Sequence, residues 1–262
     1  MKNIISTLID KYFIKKPIIR RIITKIIYGE RVIDIRLLGV DFKVNSLREN
    51  GYLRASKISR HSSLIRDEYP VMIALSNIIT DNCAFLDIGA NIGIYSSIFS
   101  RFKNFYNTFE VIAFEVHPDT YTRLELNGIK FGFKTYNCGI GDISECAVFV
   151  GGAVSHVTTR DNLANSYNIS VEKFSANIKP LSEFELPERL IIKIDVEGQE
   201  MAVLTGAKKF FDSGRVICVY LDGYSDRSCW DFLANYGYDF FDGKTLQPAD
   251  PTTFSLLALK QR

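Results

Sequence analysis

Phe85-Leu86-Asp87-Ile88-Gly89-Ala90-Asn91-Ile92-Gly93-Ile94-Tyr95 is the stretch on which the fold turns. It reads as an apolar strand, a turn of small residues and the start of a helix, a unit that lets backbone N–H groups and a positive helix end approach a ligand closely. The glycines fall as G-x-x-x-G, whereas a dinucleotide site prefers G-x-G-x-x-G. Asp87 stands just ahead of the turn and would repel a pyrophosphate. It suits a ligand that brings positive charge, such as the sulfonium and ammonium groups of S-adenosylmethionine (SAM). Asp87, Gly89, Ala90, Asn91 and Gly93 are therefore read as cofactor-binding, and methyl transfer is the chemistry they point to.

Outward from this turn, strand-like and helix-like segments alternate. Strands are predicted at 83–87, 110–115, 133–138, 190–195, 215–221, 237–241 and 254–260, and helices at about 92–102, 119–127, 198–211 and 226–236. Such alternation argues an α/β fold, a parallel sheet covered by helices on both faces. The end breaks the rule: Asp242-Gly243 is a hairpin-type turn, and no helix precedes Phe254–Leu259. The last strand must then run antiparallel. That hairpin separates the seven-stranded, Rossmann-like sheet of class I SAM methyltransferases from ordinary dinucleotide folds.

Residues 144–184 interrupt the alternation, with β-like runs at Ala147–Val150 and Ile169–Phe174. An insertion there sits near the carboxyl ends of the strands, the natural place for substrate recognition. Ahead of the core, 31–46 looks like a hairpin, 47–70 reads as a polar lid or entry segment, and a helix is predicted over about 70–79. The division is an extension of helical arm and β-hairpin over 1–63, then a catalytic domain over 64–262.

Strand tips carry the other candidates. Glu115 ends the second strand, 22 residues beyond Gly93, where an acid accepts hydrogen bonds from ribose hydroxyls in NAD and SAM sites alike. Val116 would offer an apolar surface to adenine. Asp142 either accepts the adenine amino proton or simply forms a Gly-Asp turn. Leu190-Ile191-Ile192-Lys193-Ile194-Asp195-Val196-Glu197-Gly198 places Lys193 and Asp195 on one face of a central strand, with Glu197 continuing it. Two charges in a covered parallel strand are costly unless paired or used. At a carboxyl edge, use is favoured, and Asp195, Lys193 and Glu197 become the catalytic candidates. Asp222 ends the fifth strand beside Asp195. The two could hold a divalent metal or bind hydroxyls directly; the metal is not favoured and no metal ligand is assigned. His61 is isolated, His117 caps a helix or shapes the cofactor pocket, and His156 is a candidate substrate contact or base.

Composition excludes several classes. The chain has 262 residues, 47% hydrophobic and 13% aromatic, ample for a packed core. Five cysteines, none in C-x-x-C spacing, read as reduced thiols of a cytoplasmic protein. Net charge is +2, yet residues 1–27 hold seven Lys/Arg and one Asp, so the body is mildly acidic and nucleic-acid binding is poorly supported. No apolar run reaches the roughly eighteen residues that span a bilayer, and 1–27 makes a poor signal peptide. Paired apolar residues every four positions over 4–13 and 18–27 describe amphipathic helices, with Pro17 in the first turn of the second. Packing on the domain or a dimer mate is favoured over a peripheral contact with an anionic membrane surface.

Asp87-Ile88-Gly89-Ala90-Asn91-Ile92-Gly93, Ala113-Phe114-Glu115 and Lys193-Ile194-Asp195-Val196-Glu197-Gly198-Gln199-Glu200 together resemble the FkbM-type SAM-dependent methyltransferases. Leu204-Thr205-Gly206-Ala207 and Pro180-Leu181-Ser182-Glu183-Phe184 add to the resemblance, which covers about 64–225. It implies O-methylation of hydroxyls on sugars, glycolipids, polysaccharides or polyketide-like products. Asp222 replaces the glutamate common at the fifth strand's end, and Val116 replaces the proline usual after the ribose-binding acid. Two other readings are weighed. An NAD-dependent sugar oxidoreductase or epimerase would share the strand-turn-helix cradle, but the chain lacks its Tyr-x-x-x-Lys pair. A non-catalytic SAM-fold scaffold would have a blocked pocket.

Overall fold

The structure is a computed structural model describing residues 17–57, 63–151, 172–224 and 226–261. The predicted helix over 4–13, His61 and His156 lie outside the described residues. The chain divides into two compact units at Ser62/Ser63.

The first unit holds α1 (Pro17–Tyr28), a hairpin of β1 (Val32–Leu37) and β2 (Val40–Asn45), and α2 (Asn50–Lys57). Leu37 pairs with Val40 across a two-residue turn, Leu38-Gly39, with both residues at positive φ (51° and 76°), as a tight hairpin demands. Ile35, Leu37, Phe42, Val44 and Leu53 form its core. Thr24 of α1 is buried and accepts a hydrogen bond from Asn50 Nδ2 at 2.5 Å. Of the isoleucine stripe, Ile22, Ile23, Ile26 and Ile27 point outward, 41–78% exposed. The polar segment expected over 47–70 is thus largely helical, in α2 and the start of the next helix.

The second unit opens with α3 (Ser63–Ser76), which begins seven residues before the predicted start and runs through Pro70. Then follow β3 (Cys83–Ile88), α4 (Ile94–Phe99), β4 (Glu110–Phe114), α5 (Pro118–Phe131), β5 (Lys134–Tyr136), β6 (Gly139–Ile140), β7 (Glu145–Gly151), β8 (Glu172–Lys179), β9 (Arg189–Ile194), α6 (Glu200–Gly206), α7 (Lys208–Asp212), β10 (Val216–Asp222), α8 (Ser228–Asn235), β11 (Tyr238–Asp242) and β12 (Ser255–Lys260).

Seven strands form one sheet in the order β11-β12-β10-β9-β3-β4-β5. β12 runs antiparallel to both β10 and β11, and the remaining pairs are parallel. This is the doubly wound sheet with a terminal antiparallel hairpin that the sequence predicts for a class I methyltransferase. Central strands are buried on both faces: every residue of β3 is buried, as are Leu190–Ile194 of β9. That is why they read as continuous apolar runs rather than alternating ones.

The insertion does not extend the main sheet. β6, β8 and β7 make a second, three-stranded sheet, with β7 and β8 antiparallel and Phe149 stacked on Phe174. Phe174 also meets the His117 ring edge-on at 4.5 Å, which holds this sheet beside the carboxyl end of β4. Among the described residues, no helix is long and apolar enough to cross a membrane.

Candidate active site

The turn after β3 takes left-handed backbone at Gly89, Asn91 and Gly93, with φ of 73°, 52° and 79°. Glycine adopts this region freely and asparagine tolerates it. The turn's N–H groups fold back onto β4. Gly89 N and Ala90 N both donate to Phe114 O, at 3.0 and 2.9 Å, Asn91 N donates to Glu115 Oε2 at 2.9 Å, and Gly93 N to Ala90 O at 2.8 Å. A pyrophosphate would need such donors, and these four are already engaged. On its other side the turn lies against β9: a Cβ added to Gly89 would fall 1.9 Å from Asp195 O. Asp195 N in turn donates to Ile88 O at 3.0 Å, so the tips of β3 and β9 are fastened together.

Sheet register sets the charges in a row. Asp87 pairs with Lys193, and Lys193 with Tyr220, on three neighbouring strands. Lys193 Nζ lies 3.5 Å from Asp87 Oδ1 and 3.4 Å from Asp195 Oδ2, and 5.2 Å from the centre of the Tyr95 ring. Burial by itself would discharge this lysine, but Asp195, Asp87, Asp222 and Glu68 outweigh it and hold its pKa above the ordinary lysine value. Asp87 is buried, and its Oδ2 accepts from Ser96 N at 3.2 Å and Ser96 Oγ at 2.7 Å. It therefore ties the first turn of α4 to the strand and balances Lys193, rather than standing open to a ligand at the turn. Asp195 keeps 38% of its side-chain surface exposed and is the member of this trio that a substrate can reach. Asp222 Oδ1 accepts from the Tyr220 hydroxyl at 3.0 Å.

Glu115 is buried at the tip of β4. Its Oε1 accepts from His117 N at 2.8 Å and its Oε2 from Asn91 N. Burial pushes its carboxyl up to about 7, against the pull of those two N–H groups. Each carboxylate oxygen keeps a second lone pair for a ribose hydroxyl. Asn137 Nδ2 donates to Glu115 O at 2.8 Å and Val116 O at 3.3 Å, which fixes the chain where Val116 turns away from the sheet.

Asp87, Gly89, Ala90, Asn91, Gly93, Glu115, Lys193 and Asp195 thus come together at one edge of the sheet. Glu197 does not continue the row: it takes φ 53°, is exposed, and the chain swings away through Gly198 at φ 98°. Glu200 Oε1 accepts from Gly198 N at 2.8 Å and closes the turn into α6. Asp142 is exposed, in the loop that follows β6, where Gly141 lies against Gly206 of α6. His117 occupies the N-cap position of α5, but its side chain makes no cap hydrogen bond. Among the described residues, no group of three His, Cys, Asp or Glu side chains is arranged to hold a metal ion.

Sequence reasoning missed Glu68, Tyr95, Ser96, Asn137 and Tyr220. Tyr220 alone carried a signal, because strand alternation puts it on the face of Asp222. Glu68 comes from α3, within an unremarkable Asp67-Glu68-Tyr69. Burial first and the Asp222 charge second push its carboxyl up to about 8, opposed by Lys193 and the Tyr95 hydroxyl.

The chain is similar to several known proteins. A family model described as the methyltransferase FkbM domain matches residues 87–240. The hexuronic acid methyltransferase AglP of Haloferax volcanii is 26% identical over 164 residues, which cover 59% of this chain and 62% of the relative. Methyltransferase 1 of Beauveria bassiana is 28% identical over 188 residues, 63% of this chain and 67% of the relative. The chain thus matches about two thirds or less of the length of these relatives. The crystal structure of methyltransferase FkbM from Methylobacillus flagellatus superposes with a TM-score of 0.46 at 16% identity, over 72% of this chain and 48% of that one.

Proposed function

The chain belongs to the methyltransferase FkbM family, and from that premise we propose that it is a SAM-dependent O-methyltransferase acting on a hydroxyl of a sugar, glycan, glycolipid or related small molecule. The observation that carries the choice of cofactor is the turn after β3. Four of its N–H groups are engaged by Phe114, Glu115 and Ala90, so the cradle does not offer them to a dinucleotide phosphate. Asp87 and Asp195 flank Lys193, and Asp222 and Glu68 are electrostatically coupled to the same lysine, an acidic balance that suits a positively charged donor.

SAM, when bound, supplies a methyl group already activated on sulfur. The protein's own work is alignment and proton handling. Glu115 accepts the ribose hydroxyls, Val116 faces adenine, and the turn from Gly89 to Gly93 gives the cofactor room beside β3. Asp195, held by Lys193, orients the acceptor hydroxyl at the exposed tip of β9. The family relatives support a sugar-like acceptor, since one of them is named for methylating a hexuronic acid.

Three measurements test this reading. Calorimetry with SAM and with NAD should give binding to SAM alone. Radiolabelled SAM, incubated with a panel of glycans, glycolipids and hexuronic acids, should label one acceptor class. In Asp195→Asn, SAM affinity should hold while turnover drops about 100-fold. Wild-type turnover in that variant would remove Asp195 from the mechanism, and NAD binding without SAM binding would overturn the function.

A further inference from the structure

Beyond Asp195 the carboxyl edge of the sheet continues through β10 and β12 to β11. Leu221 of β10 pairs with Ile194 of β9, so Asp222 and Asp195, each one residue further on, stand at neighbouring tips. Ser255, the first residue of β12, pairs with Asp222, and Gly243 N, just past the end of β11, donates to Ser255 O at 2.8 Å. Phe254 precedes the first of these fixed points and Lys244 follows the second. In strand order, then, this edge carries two carboxylates, an aromatic ring and an ammonium group.

Phe254 is 65% exposed. A single exposed phenylalanine is ordinary on a protein surface. What sets this ring apart is its seat. Gly223, the residue after Asp222, takes φ 92°, and a Cβ there would fall 2.7 Å from Phe254 Cζ and 3.0 Å from Cε1. The outer end of the ring therefore reaches across from β12 and rests on the bare backbone that follows β10. Lys244 Nζ lies 5.9 Å from the ring centre. The lysine is exposed and forms no ion pair with a carboxylate among the described residues.

We propose that Phe254 is the stacking platform for the acceptor's sugar ring and that Lys244 pairs with an anionic group on that sugar, so that the acceptor is a carboxylated sugar such as a hexuronide. The inference rests on the methyltransferase reading and adds the acceptor's charge and orientation to it. A sugar ring has an apolar C–H face that stacks on an aromatic ring, and its rim of hydroxyls donates to carboxylates. Neighbouring strands lie about 4.8 Å apart, so a sugar seated on the ring over Gly223 brings its hydroxyl edge to Asp222 and Asp195. Lys244 comes from the β11 side, away from those acids. A carboxylate on the sugar pairs with the lysine there, whereas turned the other way it would face Asp222 and Asp195, a like-charge contact. One orientation is therefore favoured, and it points a hydroxyl at the tip of β9.

The test uses the full chain with S-adenosylhomocysteine present, so that sugar binding is read without turnover. Methyl glycosides of glucuronic, galacturonic and mannuronic acid, and of the matching neutral hexoses, are titrated by saturation-transfer NMR. At least one uronide should bind about tenfold more tightly than its neutral hexose. In Lys244→Gln that preference should vanish while the neutral sugar binds as before. Phe254→Ala should weaken both sugars about tenfold, and Phe254→Tyr should restore them. On the labelled acceptor, Phe254→Ala should raise KM about tenfold with kcat within about threefold. SAM affinity and melting temperature should stay at wild-type values in all three variants, because both side chains are exposed. Unchanged sugar affinity in Phe254→Ala would overturn the platform. Equal binding of uronide and hexose by the wild type would overturn the role of Lys244, and binding of none of these sugars would overturn both. Uronide binding without methyl transfer from SAM is a different failure, that of the function itself, and it leaves the platform standing.

Discussion

Glu115 and Gly89 show how much single residues decide. Free glutamate titrates near 4.5, and burial moves Glu115 up to about 7. A raised acid binds its proton more tightly in the fold than in the unfolded chain. Its contribution to stability is therefore full below about 4.5 and is lost as pH rises to about 7. Ligand binding runs the other way, since ribose hydroxyls donate to the ionised form. SAM affinity should rise by up to about tenfold between pH 6 and pH 8, with uptake of ligand releasing a proton. Glu115→Gln should bind more weakly and lose the pH dependence. Calorimetry in buffers of different ionisation enthalpy reads both quantities, and a flat wild-type profile would take Glu115 out of the ribose site. Gly89 has a matched control. Gly89 and Gly132 share φ 73°, but a Cβ at Gly132 meets nothing within 4 Å, whereas one at Gly89 strikes Asp195 O. Gly132→Ala should cost roughly 1–2 kcal/mol, the left-handed penalty alone. Gly89→Ala should cost clearly more by chemical denaturation, because two backbone segments must part. Equal losses would mean that the tips of β3 and β9 separate easily.

Elements differ in how openly the sequence declares them. Buried on both faces, β3 and β9 wrote themselves as apolar runs, and Asp87 and Lys193 stood out against their buried apolar neighbours. The hairpin of β11 and β12 was legible from Asp242-Gly243 and the missing crossover helix. By contrast α3 hid behind Pro70, which reads as a helix start yet lies in its middle, so Glu68 fell into a segment read as a lid. Tertiary placement, which no local period encodes, is what makes Glu68 a site residue. The exposed stripe of α1 was legible as amphipathic but not in its orientation, because Thr24 bonds to Asn50, 26 residues away. Position within an element should also govern stability. Ile192→Ala in β9, fully buried, should cost about 2–5 kcal/mol. Ile26→Lys in α1, at 78% exposure, should stay within about 0.5 kcal/mol. A large loss at Ile26 would reveal a partner for that face, and concentration-dependent unfolding would identify it as a second copy of the chain.

At the scale of the whole molecule, charge and structure divide at the same place. Residues 1–62 hold 14 Lys/Arg against 5 Asp/Glu, while 63–262 hold 18 against 25. The near-neutral total conceals a basic unit followed by an acidic one. Every residue of the candidate site belongs to the second unit, including Glu68 near its start. Two hundred residues with a continuous core over the seven-stranded sheet are enough for independent stability. Expressed alone, 63–262 should unfold cooperatively and bind SAM within about threefold of the full chain, because the cradle and its acids are intact. Non-cooperative melting of 63–262 would show that the first unit completes the fold of the second.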